Sequence, residues 1–132
     1  MTSQPHFDII NSEEGGVKMM VYAVVGIFIL LDILTGIMKA LYTGTMDSSA
    51  LHKGLFHKLA EVVAVVGSGL FEYGTTYVNL GVDLPVLEAV AGYICLMEFV
   101  SVAENLAEIN PDLAKLFKPY LAKIKGKEDK DD

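Results

Sequence analysis

Residues 19–38 form a run of twenty amino acids in which Asp32 is the single charged side chain. A helix of twenty residues is about 30 Å long, which is the thickness of the hydrocarbon core of a bilayer. The chain has 132 residues in all, and a soluble domain of that size has too little protein around such a helix to bury it. The run therefore predicts a transmembrane helix.

Two further apolar segments follow, and carboxylates interrupt both of them. They are predicted as helices over residues 52–79 and 85–109, each preceded by a short segment rich in turn-forming residues. A charged side chain at the centre of a spanning helix raises the free energy of membrane insertion by roughly 2.5–3.5 kcal/mol. These segments therefore need polar partners or a side that contacts water. Together with the first helix, at about 18–42, they predict an all-α integral membrane domain of three spans over residues 18–109.

Polar segments are predicted at both ends of this domain. Residues 1–17 are expected to form a polar N-terminal tail. An Asn-Pro-Asp helix start opens residues 110–125, where apolar and lysine residues fall on opposite faces, as in a helix lying on a membrane surface. Pro119 predicts a break or kink in this helix. Residues 126–132 are nearly all charged and predict a disordered tail.

The cysteine content and the basic residues exclude several classes of protein. Cys95 is the single cysteine, so one chain cannot build a disulfide framework or a cysteine metal site. The ten basic residues are all lysines with no extended basic surface, so no nucleic-acid partner is expected. His52 and His57 are interpreted as interfacial side chains. Because catalytic and phosphate-binding motifs are also missing, we expect no enzyme, no metal and no cofactor.

The distribution of lysines predicts the orientation of the spans. The N-terminal end has Lys18 against three acids, and the predicted loop between the second and third helices has no lysine. Three lysines flank the first loop, and six lie between Lys115 and Lys130. Since positive segments are retained in the cytoplasm, three spans place the N-terminus outside and the C-terminus in the cytoplasm.

Polar residues inside the predicted spans fall on one face of each helix, because their spacing alternates between three and four. The candidates for a polar or pore-lining face are Asp32, Thr35 and Lys39 on the first helix, Lys58, Glu61, Ser68, Glu72 and Thr76 on the second, and Glu98, Ser101 and Asn105 on the third. Small residues permit close helix packing in lipid. The candidates for such packing are Gly26, Gly36, Gly67, Gly69 and Gly92.

Three interpretations of the polar faces remain open. The faces can pack against one another, line a water-filled lumen, or form a proton or cation site on Asp32, Glu72 or Glu98. The last would suit a small ion-coupled transporter or channel subunit. Several carboxylates on three helices favour a wet surface over one selective site. Three helices cannot enclose a channel, so the lumen interpretation requires a homo-oligomer.

Three stretches of the chain resemble motifs of the phage-lysis and toxin-secretion holin family of Gram-positive hosts. Residues 30–40 contain D-x-x-T-G-x-x-K-A, similar to the end of that family's first span. Residues 53–59 contain K-G, a hydrophobic residue, two further residues and K, similar to the start of its second span. Residues 98–105 contain E-x-x-S-x-x-E-N, followed by Pro111. Order and spacing also agree, over roughly residues 25–125.

This resemblance implies a function that composition does not show. Members of the family accumulate in the bacterial cytoplasmic membrane and assemble abruptly into holes, through which a cell-wall hydrolase or a toxin leaves the cell. The implied partners are membrane lipid, further copies of the chain and, functionally, an endolysin. A transporter or channel subunit and a purely structural membrane protein stay as alternatives.

Overall fold

The computed structural model describes residues 5–130, which form four α-helices and no strand. The helices are α1 (Pro5–Thr43), α2 (Ser48–Thr75), α3 (Val86–Ile109) and α4 (Pro111–Lys130). Within the described residues, α2, α3 and the Gly15–Thr43 part of α1 are long and apolar enough to cross a membrane. The predicted all-α class with three candidate spans is confirmed.

The first two helices begin earlier than the sequence predicted. Residues 5–17, expected as part of a tail, continue α1, because extending an existing helix adds one hydrogen bond for each residue ordered. Helix α2 begins at Ser48 instead of residue 52, since Asp47 caps it by accepting a hydrogen bond from the Ser49 N–H at 3.0 Å. It ends at Thr75 instead of residue 79.

Helix α4 continues through Pro119 and on to Lys130, whereas a break and a disordered tail were expected. Contacts on both sides of the proline hold α4 against α3 and offset the lost backbone hydrogen bond. On one side the rings of Phe117 and Phe99 meet edge to face at 6.1 Å, and on the other Lys125 Nζ lies 3.0 Å from a Glu104 oxygen. The outermost parts of both predicted tails, residues 1–4 and 131–132, lie outside the described residues.

The turn after α1 depends on a glycine in the left-handed region. Gly44 has a φ of 70°, and the Thr45 N–H donates to the Ala40 carbonyl at 2.9 Å. This arrangement is a Schellman-type C-cap, which stops the helix and satisfies one of its last carbonyls. It lets α2 start within a few residues and return through the membrane.

Helix α3 packs against both α1 and α2, and these two helices contact each other less extensively. We call the end of the three helices that carries the 76–85 loop the second-loop end, and the opposite end, with the 44–47 loop, the first-loop end. An apolar core joins the three helices towards the second-loop end. The core residues are Val25, Ile29, Val65, Leu87, Ala91 and Ile94. Most other large apolar side chains of the spans are exposed on the surface of the single chain. Such an outward apolar surface suits helices surrounded by lipid.

Candidate functional site

A single lysine joins the three spans near their middle. Lys58 Nζ of α2 lies 2.6 Å from Asp32 Oδ2 of α1 and 2.5 Å from Glu98 Oε1 of α3. It also lies 3.6 Å from Glu61 Oε2, one turn along its own helix. All four side chains are largely buried, and Glu98 is only 2% exposed. One ammonium group therefore connects carboxylates from all three helices.

Asn105 extends this arrangement towards the first-loop end. Its side-chain amide donates to Asp32 Oδ1 and to Thr35 Oγ1, both at 3.1 Å. The Thr35 hydroxyl in turn donates to the Leu31 carbonyl at 2.8 Å. Both amide hydrogens of Asn105 are thus used. We call the connected set the Lys58 network; it comprises Asp32, Thr35, Lys58, Glu61, Glu98 and Asn105.

The Lys58 network lies at the depth where charge is most costly in a membrane. Glu98 lies near the middle of α3, so each end of that helix is about 16–18 Å away. Ion pairing and hydrogen bonding reduce the penalty for charges there. They do not remove it, because three carboxylates share one ammonium group. Glu98 Oε2 and Glu61 Oε2 also accept no hydrogen bond from any described residue. The network therefore retains an unmet demand for hydrogen-bond donors, which water can supply.

Glu72 lies in a second polar contact, at the second-loop end. Its Oε1 accepts a hydrogen bond at 2.9 Å from the Leu87 N–H, in the first turn of α3. Its Oε2 lies 4.0 Å from Lys18 Nζ of α1. A carboxylate at a helix N-terminus satisfies a free N–H group and interacts favourably with the helix dipole. Glu72 is about 21 Å along α2 from Lys58, so it is placed as a cap of α3, away from the Lys58 network.

The other predicted polar-face residues lie outside both clusters. Ser68 is buried, and its hydroxyl donates to the Ala64 carbonyl of its own helix at 2.7 Å. Thr76 is exposed just beyond α2 and donates to the Tyr73 carbonyl at 2.7 Å. Lys39 and Ser101 are half-buried, and neither has an ion pair or side-chain hydrogen bond within the described part of the chain.

Gly69 allows the one very close approach among the five predicted packing glycines. A Cβ on Gly69 would lie 1.6 Å from the Tyr22 hydroxyl oxygen, so the ring of Tyr22 needs a glycine there. A Cβ on Gly36 would meet Asn105 Nδ2 at an ordinary 3.7 Å. Added Cβ atoms on Gly26, Gly67 and Gly92 would meet nothing within 4 Å among the described residues.

Three contributors to these contacts were not found from the sequence. Lys18 lies at the polar edge of the first span, the Leu87 group is a backbone N–H, and Tyr22 lies in an apolar run. The pairing of Lys18 with an acid carried a weak signal, because Lys18 and Glu72 both lie towards the second-loop end of the spans. Neither the residue type nor the spacing of Leu87 and Tyr22 indicates these contacts.

A crevice of about 220 Å³ leads from the first loop to the Lys58 network. It runs between α1 and α2, where Gly36, Ala40 and Gly54 leave space, and Asp32 and Lys58 form part of its lining. No group of three or more His, Cys, Asp or Glu residues suited to a metal ion occurs in the described residues. Asp32 and Lys58 therefore border the crevice, whereas Glu61 and Glu98 are not among its lining residues.

The chain matches the model of the bacteriophage holin family over residues 8–126. The chain belongs to the bacteriophage holin family. The resemblance drawn from the three sequence motifs is confirmed. No curated protein and no solved structure matches the chain. The match spans all three apolar helices, so the protein is a holin-like, multi-pass membrane protein, and the Lys58 network is part of a holin's membrane domain.

Proposed function

We propose that this holin accumulates in the bacterial cytoplasmic membrane as closed three-helix protomers and then assembles into homo-oligomeric holes. The holes release a cell-wall hydrolase (an endolysin) or a toxin and lead to lysis of the cell. The observation that carries the proposal is the family match over residues 8–126, which includes all three candidate spans. The proposed partners are lipid, further copies of the chain and, functionally, the endolysin; no catalytic step, cofactor or nucleic acid is part of the proposal.

The polar interior of the protomer supports two states of the membrane domain. In the closed state, Lys58 pairs with Asp32 and Glu98 while apolar side chains face lipid. In the assembled state, the same polar faces line water, which supplies the donors that Glu98 Oε2 and Glu61 Oε2 lack. A small cluster of protomers cannot enclose water, so hydration becomes available only above a certain size. Opening is therefore expected to be cooperative and abrupt.

Timed induction in a bacterium tests the proposed function. We expect a lag in which protein accumulates without leakage, then simultaneous entry of a membrane-impermeant dye and loss of a cytoplasmic hydrolase to the medium. The control is the same cell producing the hydrolase without the holin, which should retain both barriers. Accumulation of inserted protein without dye entry or hydrolase release would contradict the proposal.

A small ion-coupled transporter or channel subunit is the second candidate. The observation that favours it is the excess of carboxylates over lysine in the Lys58 network, next to the crevice between α1 and α2. The same induction experiment separates the candidates. A transporter or narrow channel would change the membrane potential while dye and hydrolase stayed on their original sides.

The lysine distribution supports a second proposal, that the first loop is cytoplasmic and the second loop external. In a Cys95→Ala background, we expect Asp83→Cys to react with a membrane-impermeant maleimide in intact cells. Ser49→Cys should react only after the membrane is opened. Both positions are exposed, so accessibility depends on the side of the membrane. Reaction of Ser49→Cys alone in intact cells would reverse the orientation.

A further inference from the structure

Helix α4 presents two chemically different sides, one of which packs against α3. Leu113, Phe117, Leu121 and Ile124 are half-buried, and Phe117 contacts Phe99. With Lys125 paired to Glu104, these contacts lie on the last three turns of α3, within about 15 Å of its end. Helix α4 therefore packs against the half of α3 that ends at Ile109, and its start at Pro111 lies next to the headgroup layer.

The opposite side of α4 carries cations with no ion-pair partner in the described part of the chain. Lys115, Lys118 and Lys123 are exposed and have no ion pair within the described residues. At 100° per residue they lie within an arc of about 140°, facing away from Phe117. Asp112 is the one acid among residues 111–126. The lysine side thus keeps a positive charge that nothing in the described chain neutralises.

An exposed apolar edge lies beside the lysines. Leu116 is 62% exposed and Tyr120 is 58% exposed, so α3 does not cover them. On the helix, Leu116 is about 20° from Lys123, and Tyr120 lies just beyond it. An apolar edge next to a cationic face matches the two parts of a phospholipid at the membrane boundary.

We propose that α4 binds anionic phospholipid, with headgroup phosphates at Lys115 and Lys123 and acyl chains against Leu116 and Tyr120. The occupant follows from position, because α4 begins at Pro111, two residues after the spanning helix α3 ends. The headgroup layer is the anionic surface nearest to that point. This inference concerns lipid binding by the inserted chain and does not depend on hole formation.

Native mass spectrometry of the full chain, released from detergent with added lipid, tests the inference. We expect phosphatidylglycerol to bind more tightly than phosphatidylcholine. A juxtamembrane lysine contributes about 1 kcal/mol towards an anionic lipid surface, so Lys115→Gln with Lys123→Gln should weaken phosphatidylglycerol binding by roughly 30-fold. Leu116→Gln should weaken binding of both lipids. Circular dichroism should show unchanged helix content, because all three side chains are exposed.

The matched control removes the same charge elsewhere. The control is the double variant Lys39→Gln with Lys53→Gln, whose two positions lie at the first-loop end of α1 and α2, outside α4. This variant should bind phosphatidylglycerol as tightly as the parent. If the two double variants lose phosphatidylglycerol binding to the same extent, the lipid is attracted by diffuse surface charge and not by a site on α4. Equal affinity of the parent for the two lipids would also overturn the inference.

Discussion

Replacing Lys58 with methionine is expected to lower the free energy of unfolding of the membrane domain by about 3–5 kcal/mol, the cost of removing one partner from a buried ion pair. Methionine has a similar length, so the main change is loss of the ammonium group. Asp32, Glu61 and Glu98 would then lie together near mid-membrane depth without a counter-ion. Thermal unfolding in detergent and the amount of protein in the membrane both measure the loss.

Two further variants separate electrostatics from packing at Lys58. Lys53→Met changes an exposed lysine on the same helix, with no ion pair in the described residues, and should leave stability unchanged. Lys58→Met combined with Glu98→Met should recover part of the loss, because apolar replacement of both members of a buried pair is often neutral or stabilising. Parental stability of Lys58→Met alone would show that the network does not hold the three helices together.

The three spans and their polar faces could be predicted because each depends on local sequence. The run at residues 19–38 has the length and composition of a spanning helix. Alternating steps of three and four put polar residues on one stripe of a helix. Once the helix ends are known, the depth of each polar residue in the membrane also follows from the sequence. Asp32 lies eleven residues before the end of α1 at Thr43, and Lys58 lies ten residues after the start of α2 at Ser48. Glu98 lies eleven residues before the end of α3 at Ile109. Equal depths make their meeting geometrically feasible.

Which faces meet could not be predicted, because it depends on the rotation of each helix about its axis. Lys58 is 26 residues from Asp32 and 40 from Glu98, and no local pattern specifies those contacts. The contact of Glu72 with the start of α3 could not be predicted for another reason. The partner of Glu72 is the backbone N–H of Leu87, a group that every residue except proline carries. The start of α1 was misplaced because the predicted boundary followed the loss of hydrophobicity, while the helix continues through polar residues to Pro5.

The second large effect is expected in the accessibility of the polar faces to water. Ser68 is 8% exposed on the polar stripe of α2, whereas Val63 is 62% exposed on the lipid-facing side. In closed protomers both positions are dry, one inside the protein and the other in lipid. If assembly turns the polar stripe towards a lumen, only Ser68 gains contact with water. A thiol in hydrocarbon or in an apolar core stays protonated and reacts poorly, so a cysteine at each position distinguishes the two states.

The most direct test is maleimide labelling of Ser68→Cys and Val63→Cys, each in a Cys95→Ala background, before and after dye entry begins. We expect background labelling of both cysteines before that moment. After dye entry begins, the cysteine of Ser68→Cys should be labelled to the same extent as the loop cysteine of Asp83→Cys. Labelling of Val63→Cys should stay at background. If Ser68→Cys remains unlabelled in cells that have become permeable to dye, the polar faces stay packed together and do not line the hole.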